Sequence, residues 1–236
     1  MILTRTWHFR TAIALLRSML THYGRMDEPV FVLHDGLPAD ELEKGKSVYQ
    51  GFTPIQIDIE RYRRENKERP SYWKFEAFNP ALHYGFEKII VLDADLLCIS
   101  SPIRLTLWKR QGVSAWREQQ RRQWNSGIVV VNHNVATMEN YETLLRTHRG
   151  EGEFGTDQAI LNHLWGSRII PLPSTTQKFA TGDAKPSECM FLHYIYKYQA
   201  RDFLKIPKAC RKELEKYLGE WSMGLSGMDR CEGMPA

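Results

Sequence analysis

Hydrophobic and polar positions follow two different periods along this chain, and they switch between them in a regular order. Residues 1–6 (MILTRT) form a short apolar run that is typical of a strand. The segment that follows places Phe9, Ile13, Leu16 and Leu20 on one face of a helix. The pattern therefore predicts that the chain opens with a strand and an amphipathic helix.

The same order of strand and helix continues to about residue 172. Further strands are predicted at residues 29–36 (PVFVLHDG), 54–59 (PIQIDI), 112–116 (GVSAW), 126–132 (SGIVVVN) and 168–172 (RIIPL), and another holds Asp93. Helices are predicted at residues 39–50, 71–85, 134–147 and 157–165. Residues 60–71 (ERYRRENKERPS) are polar and rich in arginine, which predicts a mobile surface loop. Strands that alternate with helices indicate an α/β fold, with a mostly parallel central sheet flanked by helices.

Two carboxylates stand near the end of the apolar run in residues 88–102 (KIIVLDADLLCISSP). Because side chains alternate across a strand, Asp93 and Asp95 are expected to point the same way, with Ala94 opposite. Two like charges this close repel, and their burial is costly unless a cation or hydrogen bonds compensate. In open parallel sheets, ligands bind beyond the carboxyl ends of the strands, where this pair stands. The alternative is a strand that ends at Asp93, with both carboxylates solvated in the following loop.

The composition indicates an ordinary globular protein and does not identify what it binds. The 236 residues are 42% hydrophobic and 25% charged, as in an ordinary globular domain. A formal net charge of +4 permits an anionic substrate but does not require nucleic acid. Four cysteines form no CxxC pair, which argues against a zinc or thioredoxin motif and favours unpaired thiols in a reducing compartment. Arginines interrupt the N-terminal segment, and no window reaches the ~20 apolar residues of a membrane span, so we expect a cytoplasmic protein.

Several enzyme classes keep an acidic residue at the end of a strand, and most of them need a second motif that this chain lacks. A P-loop requires glycine at position 40, but Asp40 stands there and no strand precedes the Gly45–Ser47 stretch. Haloacid-dehalogenase phosphatases have Thr or Val where this chain has Leu97. The remaining candidate is a nucleotide-sugar transferase, whose Asp-x-Asp offers hard oxygen ligands to Mn²⁺ or Mg²⁺. Such an ion neutralises charge on the departing nucleoside diphosphate.

Three stretches in one order resemble glycosyltransferase family 8, which includes glycogenin and the bacterial lipopolysaccharide galactosyl- and glucosyltransferases. They are residues 86–98 (FEKIIVLDADLLC), 124–132 (WNSGIVVVN) and 155–165 (GTDQAILNHLW). The resemblance runs from about Met1 to Lys197 and implies a single GT-A domain, Rossmann-like, over residues 1–200. Residues 201–236 then form a basic, helical C-terminal tail.

The resemblance also implies roles for particular residues around a nucleotide-sugar donor. Asn125 and Ser126 would contact the transferred sugar, and Gly127 would let the backbone pass close to it. Asp157 would accept hydrogen bonds from sugar hydroxyls, and Gln158 would lie beside the anomeric carbon. These two residues are the implied catalytic pair.

The remaining implied roles concern the metal and the nucleotide. Asp93, Asp95 and His193 would be the metal ligands, and Lys74 would offer a positive charge to donor phosphate or sugar. The other donor-binding positions are Thr4, Arg5 and Thr6 at the edge for nucleobase and ribose, and Lys197 at the β-phosphate.

Each of these motifs has a structural alternative, and the late motif departs from the family. The Asn-Ser-Gly stretch could be an ordinary turn, Asp157 a helix cap, Gln158 and Lys74 solvated residues, and His193 a packed core histidine. The family pattern His-x-x-Gly-x-x-Lys lacks its glycine here, and Lys197 comes two positions early. The acidic or Asn residue that the family has after its first strand is also replaced, here by residues 5–10 (RTWHFR). The motifs therefore support sugar transfer more than they support recognition of uracil.

The resemblance implies transfer with retention at the anomeric carbon. Because Gln158 is an amide and a poor nucleophile, we favour front-face departure and attack over double displacement. The competing function is a non-catalytic protein on the same scaffold that binds nucleotide sugars or nucleic acid.

The distribution of basic residues predicts the kind of acceptor and contact with a membrane. Two basic stretches predict a rim for an anionic acceptor, lipid-linked or a polysaccharide, with nucleic acid less favoured and a solvated surface as the alternative. They supply Arg61, Arg63, Arg64, Lys67, Arg69, Arg117, Arg121 and Arg122. The basic C-terminal tail predicts peripheral contact with the inner face of a membrane, or else a helix packed on the domain.

Overall fold

The computed structural model of the chain describes residues 1–4, 9–64, 67–68, 70–118, 122–149, 156–181, 184–194 and 206–218. The strands among them are β1 (Ile2–Thr4), β2 (Val30–His34), β3 (Phe52–Gln56), β4 (Arg63–Arg64), β5 (Lys67–Glu68), β6 (Lys88–Asp93), β7 (Leu96–Cys98), β8 (Val113–Glu118), β9 (Gln123–Asn132), β10 (Ile170–Pro171), β11 (Gln177–Phe179) and β12 (Phe191–His193). The α-helices are α1 (Phe9–Tyr23), α2 (Ala39–Val48), α3 (Ile103–Thr106), α4 (Met138–Arg149), α5 (Asp157–Trp165) and α6 (Lys208–Leu218). Short 3-10 helices lie at Ile59–Tyr62, Pro70–Phe78, Pro80–His83, His133–Val135 and Pro186–Glu188.

Seven of these strands form the central sheet, in the order β10-β8-β9-β6-β1-β2-β3. Strands β6, β1, β2 and β3 pair in parallel, and so do β10 and β8. Strand β9 runs antiparallel to both of its neighbours, β6 and β8. The predicted α/β class with a mostly parallel central sheet is therefore confirmed.

Helices cover both faces of this sheet. Successive strand residues point to opposite faces, so an apolar strand such as β9 presents apolar side chains to both. On one face, Val129 and Val131 of β9 lie in a core with residues of α4, α5 and the 3-10 helix Pro70–Phe78. On the other face, Ile128 and Val130 lie in a second core with residues of α1. The predicted apolar face of α1 is buried at Phe9, Ile13 and Leu16.

A second sheet, β11-β12-β7, brings a late segment of the chain to the end of β6. Strand β12 pairs antiparallel with β7 in a register that sets His193 opposite Leu96. It pairs parallel with β11, which sets Phe179 beside His193. Since only two residues separate the end of β6 from the start of β7, this pairing carries His193 to the carboxyl end of β6.

Two predicted helices differ in detail from the structure. Residues 71–85 form two 3-10 helices, Pro70–Phe78 and Pro80–His83, in place of one α-helix. Proline at position 80 has no N–H for a continuous helix, and the side chain of Asn79 caps the second segment by accepting from a backbone N–H. The helix predicted at residues 134–147 is α4, which begins four residues later.

The loop predicted at residues 60–71 contains regular structure in the part that the structure describes. Glu60 and Arg61 lie at the surface as predicted, and the mobility of the segment stays a prediction. A 3-10 helix at Ile59–Tyr62 leads into β4, which pairs antiparallel with β5. Tyr62 is completely buried, and its hydroxyl donates to the carboxylate of Glu76 at 2.5 Å. Because a buried carboxylate needs hydrogen-bond donors, this contact fixes the segment against the core despite its polar composition.

Helix α6, in the predicted C-terminal tail, packs against the rest of the described chain. Cys210 and Leu214 lie in one buried cluster with Leu192 and Tyr194. The Tyr194 hydroxyl donates to the carbonyl of Cys210 at 2.8 Å. The predicted boundary between domain and tail lies outside the described residues and stays a prediction.

Three of the four cysteines are buried and unpaired, as predicted: Cys98, Cys189 and Cys210. Burial raises the pKa of Cys98 and of Cys189 to about 12. These thiols are therefore unreactive at neutral pH. Cys231 lies outside the described residues.

Candidate active site

Strand β6 ends at Asp93, and Ala94 and Asp95 form a turn before β7 begins. The prediction of a strand continuing through both carboxylates is therefore wrong, and the alternative is right about where the strand ends. It is wrong that both carboxylates are solvated: Asp95 is 9% exposed, and the side chain of Asp93 is 22% exposed. The turn holds both acids against His193.

Asp93, Asp95 and His193 form a cluster that could hold a metal ion. One potential ligand atom from each lies within 4.8 Å of the others. The Nε2 atom of His193 is 3.2 Å from Oδ1 of Asp95 and 4.0 Å from Oδ2 of Asp93. Carboxylate oxygens suit Mg²⁺ or Mn²⁺, while imidazole favours a transition metal, so this donor set fits Mn²⁺ best of the two. The structure brings the three residues together, and their role as ligands stays a prediction.

Lys74 connects this cluster to the start of α5. It is 4% exposed, and its ammonium lies 2.8 Å from Oδ1 of Asp93 and 2.8 Å from Oδ2 of Asp157. It also donates to the hydroxyl of Ser126 at 3.1 Å. The alternative of a solvated lysine is therefore wrong, because one buried cation joins three segments that are far apart in sequence.

The described side chains of the site bring several carboxylates together. Asp93, Asp95 and Asp157 supply three, and Lys74 supplies an ammonium to two of them. A divalent cation held by Asp93 and Asp95 would add positive charge beside these carboxylates, and carboxylate and imidazole are ligands that Mn²⁺ accepts. The residues present therefore fit the metal that the Asp-x-Asp pattern implies.

Burial and these charges shift three pKa values. Burial raises the pKa of Asp93 to about 6, which Lys74 opposes and Asp95 reinforces. Burial lowers the pKa of Lys74, but the carboxylates of Asp157 and Asp93 outweigh it, so the pKa is raised above its usual value. Burial lowers the pKa of His193 as well, and Asp95 outweighs burial there, so that pKa is also raised. A cation bound in the cluster would hold Asp93 in its ionised form.

The Asn-Ser-Gly stretch lies within β9 and is not an isolated turn. Asn125 and Ser126 are 6% and 7% exposed. A Cβ atom on Gly127 would lie 2.7 Å from Cε1 of His193 and 2.9 Å from Oδ1 of Asn125. Glycine therefore allows the imidazole of His193 to approach the backbone closely, and the predicted approach of a sugar at Gly127 stays a prediction.

The Thr-Asp-Gln stretch opens α5, and Thr156 is its cap, because its hydroxyl accepts from the backbone N–H of Ala159 at 3.1 Å. The alternative that Asp157 caps the helix is therefore wrong, and its carboxylate contacts Lys74. The side chain of Gln158 also faces the site, since its Oε1 accepts from Nδ2 of Asn125 at 3.2 Å.

Gln177 is a residue of this site that the sequence analysis missed. It is completely buried, and its Nε2 lies 3.0 Å from Oδ1 of Asn125 and 2.9 Å from Nδ1 of His193. Its surroundings in the sequence (LPSTTQ, residues 172–177) have the composition of an ordinary polar turn. No motif or spacing marks it, because its partners are brought to it by the second sheet.

The predicted nucleotide-binding residues are only partly described. Thr4 is 2% exposed and ends β1, next to the end of β6, where Leu3 pairs with Asp93. Its role at the nucleobase and ribose edge stays a prediction. The positions Arg5, Thr6 and Lys197 lie outside the described residues.

The predicted basic rim is described at three side chains. Arg61 donates to the hydroxyl of Tyr141 at 2.9 Å, Arg117 lies over the ring of Trp124 at 5.5 Å, and Arg122 is exposed. The other side chains of the rim lie outside the description: Arg63, Arg64, Lys67, Arg69 and Arg121. As for membrane contact, no helix in the described part of the chain is long and apolar enough to span a bilayer.

Among comparisons with known proteins, only those with solved structures give matches. No family model matches the chain, and no curated protein sequence matches it. The bifunctional glycosyltransferase WbbM matches with a TM-score of 0.75 at 14% identity, over 96% of this chain and 50% of its own. The galactosyltransferase LgtC, solved in complex with donor and acceptor sugar analogues, matches with a TM-score of 0.71 at 13% identity, over 95% and 98%. The glycosyltransferase GlyE of Streptococcus pneumoniae TIGR4 matches with a TM-score of 0.68 at 16% identity, over 96% and 61%.

At these identities the likeness establishes the fold alone, which is the GT-A fold of glycosyltransferases. The chain spans about half the length of WbbM and nearly the whole of LgtC. Membership of family 8 stays a prediction.

Proposed function

We propose that this chain is a metal-dependent, retaining glycosyltransferase that moves a sugar from a UDP-sugar donor to an acceptor hydroxyl. The observation that carries the proposal is the position of Lys74, whose ammonium lies between Asp93 and Asp157. It joins a cluster suited to a metal with the acid that the family resemblance assigns to the sugar. This combination stands at the carboxyl end of β6, where open sheets bind ligands.

Lys74 and the residues of the metal cluster would stabilise the leaving group. Asp93, Asp95 and His193 would hold Mn²⁺, or Mg²⁺, which supplies positive charge to the two phosphates of the donor. Lys74 adds a second positive charge, and its raised pKa keeps the ammonium protonated throughout. Fixed charges of this kind stabilise the negative charge that develops on the departing phosphate.

The sugar-binding residues position the anomeric carbon. Asn125 and Ser126 would hold sugar hydroxyls, and the carboxylate of Asp157 would accept hydrogen bonds from others. Asp157 makes a poor nucleophile, since Lys74 already neutralises it at 2.8 Å, and Gln158 is an amide. Retention is therefore best explained by front-face departure and attack, in which a phosphate oxygen takes the proton of the acceptor hydroxyl.

The test is the release of nucleoside diphosphate from a panel of nucleotide sugars, with and without Mn²⁺, in the absence of acceptor. We expect release from one donor, which stops on addition of a chelator and in Asp95→Asn. The matched control is Asp40→Asn, because that aspartate is 71% exposed on α2 and should not affect release. The anomeric configuration of a transferred product, read by NMR, tests retention.

Two outcomes contradict the proposal. Release that persists in Asp95→Asn would remove the metal cluster from the reaction. Metal-dependent binding of a donor with no release would favour the competing function, a nucleotide-sugar-binding protein on the same scaffold.

A further inference from the structure

The side chain of Gln177 lies between the ring of His193 and the amide of Asn125. Its Nε2 is an amide NH₂ group, which can donate but not accept. It therefore donates one hydrogen bond to Nδ1 of His193 at 2.9 Å and one to Oδ1 of Asn125 at 3.0 Å. Its Oε1 is buried and has no hydrogen-bond partner among the described residues. An unpaired buried oxygen is costly, which suggests that it serves a state other than the one described.

The orientation of the Gln177 amide is imposed by Asn125. The Oδ1 atom of Asn125 accepts from the backbone N–H of Gly127 at 2.8 Å, and its Nδ2 donates to Oε1 of Gln158 at 3.2 Å. These two contacts decide which end of the Asn125 amide is oxygen. Because an oxygen faces Gln177, the nitrogen of Gln177 must face it in return.

This orientation determines where the proton of a neutral His193 ring lies. When Nδ1 accepts from Gln177, the ring proton is on Nε2, which points to Oδ1 of Asp95 at 3.2 Å. A protonated Nε2 has no lone pair for a metal ion. Histidines that bind metals through Nε2 usually donate their Nδ1–H to an oxygen acceptor. The side chain that now contacts Nδ1 is that of Gln177, and its one oxygen, Oε1, could fill this role if the amide were turned over.

We propose that Gln177 is a positioning residue whose amide sets the tautomer of His193 and so couples metal binding to the orientation of Asn125. The proposal rests on the proposed function for the metal cluster. With a metal ion held by Asp93, Asp95 and His193, the amide of Gln177 would be turned over. Oε1 would then accept from Nδ1–H, and Nε2 of His193 would keep a lone pair for the ion. The ring stays neutral, because Nε2 gives one proton to water while Nδ1 gains one from water.

The same rotation has a consequence on the sugar side. It would set Oε1 of Gln177 against Oδ1 of Asn125, where Nε2 now lies. Because two acceptor oxygens repel, the side chain of Asn125 would have to turn as well, away from its contacts with the Gly127 N–H and Gln158. A bound metal would thus reorient the residue that is proposed to contact the sugar.

The test measures the tautomer of His193 directly, by NMR of protein labelled with ¹⁵N-histidine. Because the carboxylate of Asp95 raises the pKa of this ring, the spectra are recorded above the midpoint of the titration of His193 itself, where the ring is neutral. The signal is assigned with His193→Asn. Without metal, the wild type should have its proton on Nε2. In Gln177→Glu the proton should move to Nδ1, because a carboxylate can only accept. In Gln177→Leu the preference for Nε2 should weaken, because only the carboxylate of Asp95 then favours it.

A second measurement uses Mn²⁺ alone, with affinity read by electron paramagnetic resonance. Gln177→Leu leaves Nδ1–H without an acceptor, so we expect affinity to fall about ten-fold, whereas Gln177→Glu should bind at least as tightly as the wild type. The matched control is Thr176→Val, because this neighbour is completely buried and its hydroxyl has no partner among the described residues. It should change neither the tautomer nor the affinity.

The same His193 tautomer in the wild type and both Gln177 variants would overturn the proposal. So would a metal-free wild-type ring that carries its proton on Nδ1. The tautomer needs neither metal nor donor, so it tests Gln177 even if no nucleoside diphosphate is released. Conversely, a normal tautomer shift in a chain that releases none would contradict only the proposed function.

Discussion

Lys74 neutralises two carboxylates of the site. Its side chain is 5% exposed and contacts the carboxylates of Asp93 and Asp157, each at 2.8 Å. Removing one member of a buried ion pair costs far more than the pair contributes, because the remaining charge stays buried without compensation. Here the removal of the Lys74 ammonium leaves the carboxylates of both Asp93 and Asp157 without this compensating charge.

We expect Lys74→Met to lower the free energy of unfolding by about 3 kcal/mol, since it leaves uncompensated buried charge. Urea denaturation in the presence of a chelator measures this effect without a bound metal. Adding Asp157→Asn to Lys74→Met should recover part of the loss, because one of the two uncompensated charges is then gone. Lys46→Met is the control, since Lys46 is 50% exposed and should change stability by less than about 0.5 kcal/mol. No recovery in the double variant would contradict the argument.

The site residues that the sequence predicts are those that lie in short local motifs. Asp93 and Asp95 follow an apolar strand, and Asp157 follows a capping threonine, so each is visible in a few consecutive letters. The sequence does not reveal that Lys74 neutralises Asp157, because that contact depends on tertiary packing. Gln177 is invisible for the same reason: it is one polar residue in a turn until the second sheet sets it beside His193.

At the scale of elements, the 3-10 helix Pro70–Phe78 serves two parts of the molecule. Lys74 points from it into the site, while Glu76, two residues later, accepts from the hydroxyls of Tyr62 and Tyr141. With three residues per turn, positions two apart lie on different sides of the helix. The charged composition of residues 60–71 predicted a loop, because sequence patterns weigh the many charged residues above one tyrosine, which the structure buries completely.

This contact predicts that Tyr62→Phe lowers the free energy of unfolding by about 2 kcal/mol, the usual range for a lost hydrogen bond to a charged group. Urea denaturation measures it, and hydrogen exchange should show faster opening of the backbone at Ile59–Tyr62. Tyr84→Phe is the matched control, because Tyr84 is 92% exposed and should be neutral. Equal effects of the two substitutions would mean that Glu76 does not hold this segment.

At the scale of the whole molecule, the last described helix supports the strand that carries His193. Leu192 and Tyr194 lie in one buried cluster with Leu214 of α6. Alternation along β12 sends these two side chains away from His193. The apolar run and basic residues near the C-terminus predicted a helix, but the pattern could not decide between a separate tail and a packed element. The fold class was readable from the sequence because it follows from the order of strands and helices, whereas this packing depends on which surface the helix meets.

Leu214→Ala tests whether α6 unfolds together with the sheet. Leu214 is 1% exposed, and truncating a buried leucine typically costs about 3 kcal/mol. If α6 belongs to one cooperative unit, tryptophan fluorescence and far-UV circular dichroism should follow a single urea transition, and the substitution should move both to lower urea together. Glu215→Ala, at the exposed neighbouring position, should leave the midpoint in place. If instead the tail is independent, Leu214→Ala should leave the fluorescence midpoint unchanged, because the loss would stay within the helix. The first outcome would also limit peripheral membrane contact to the polar face of α6, since its apolar side chains are then needed by the fold.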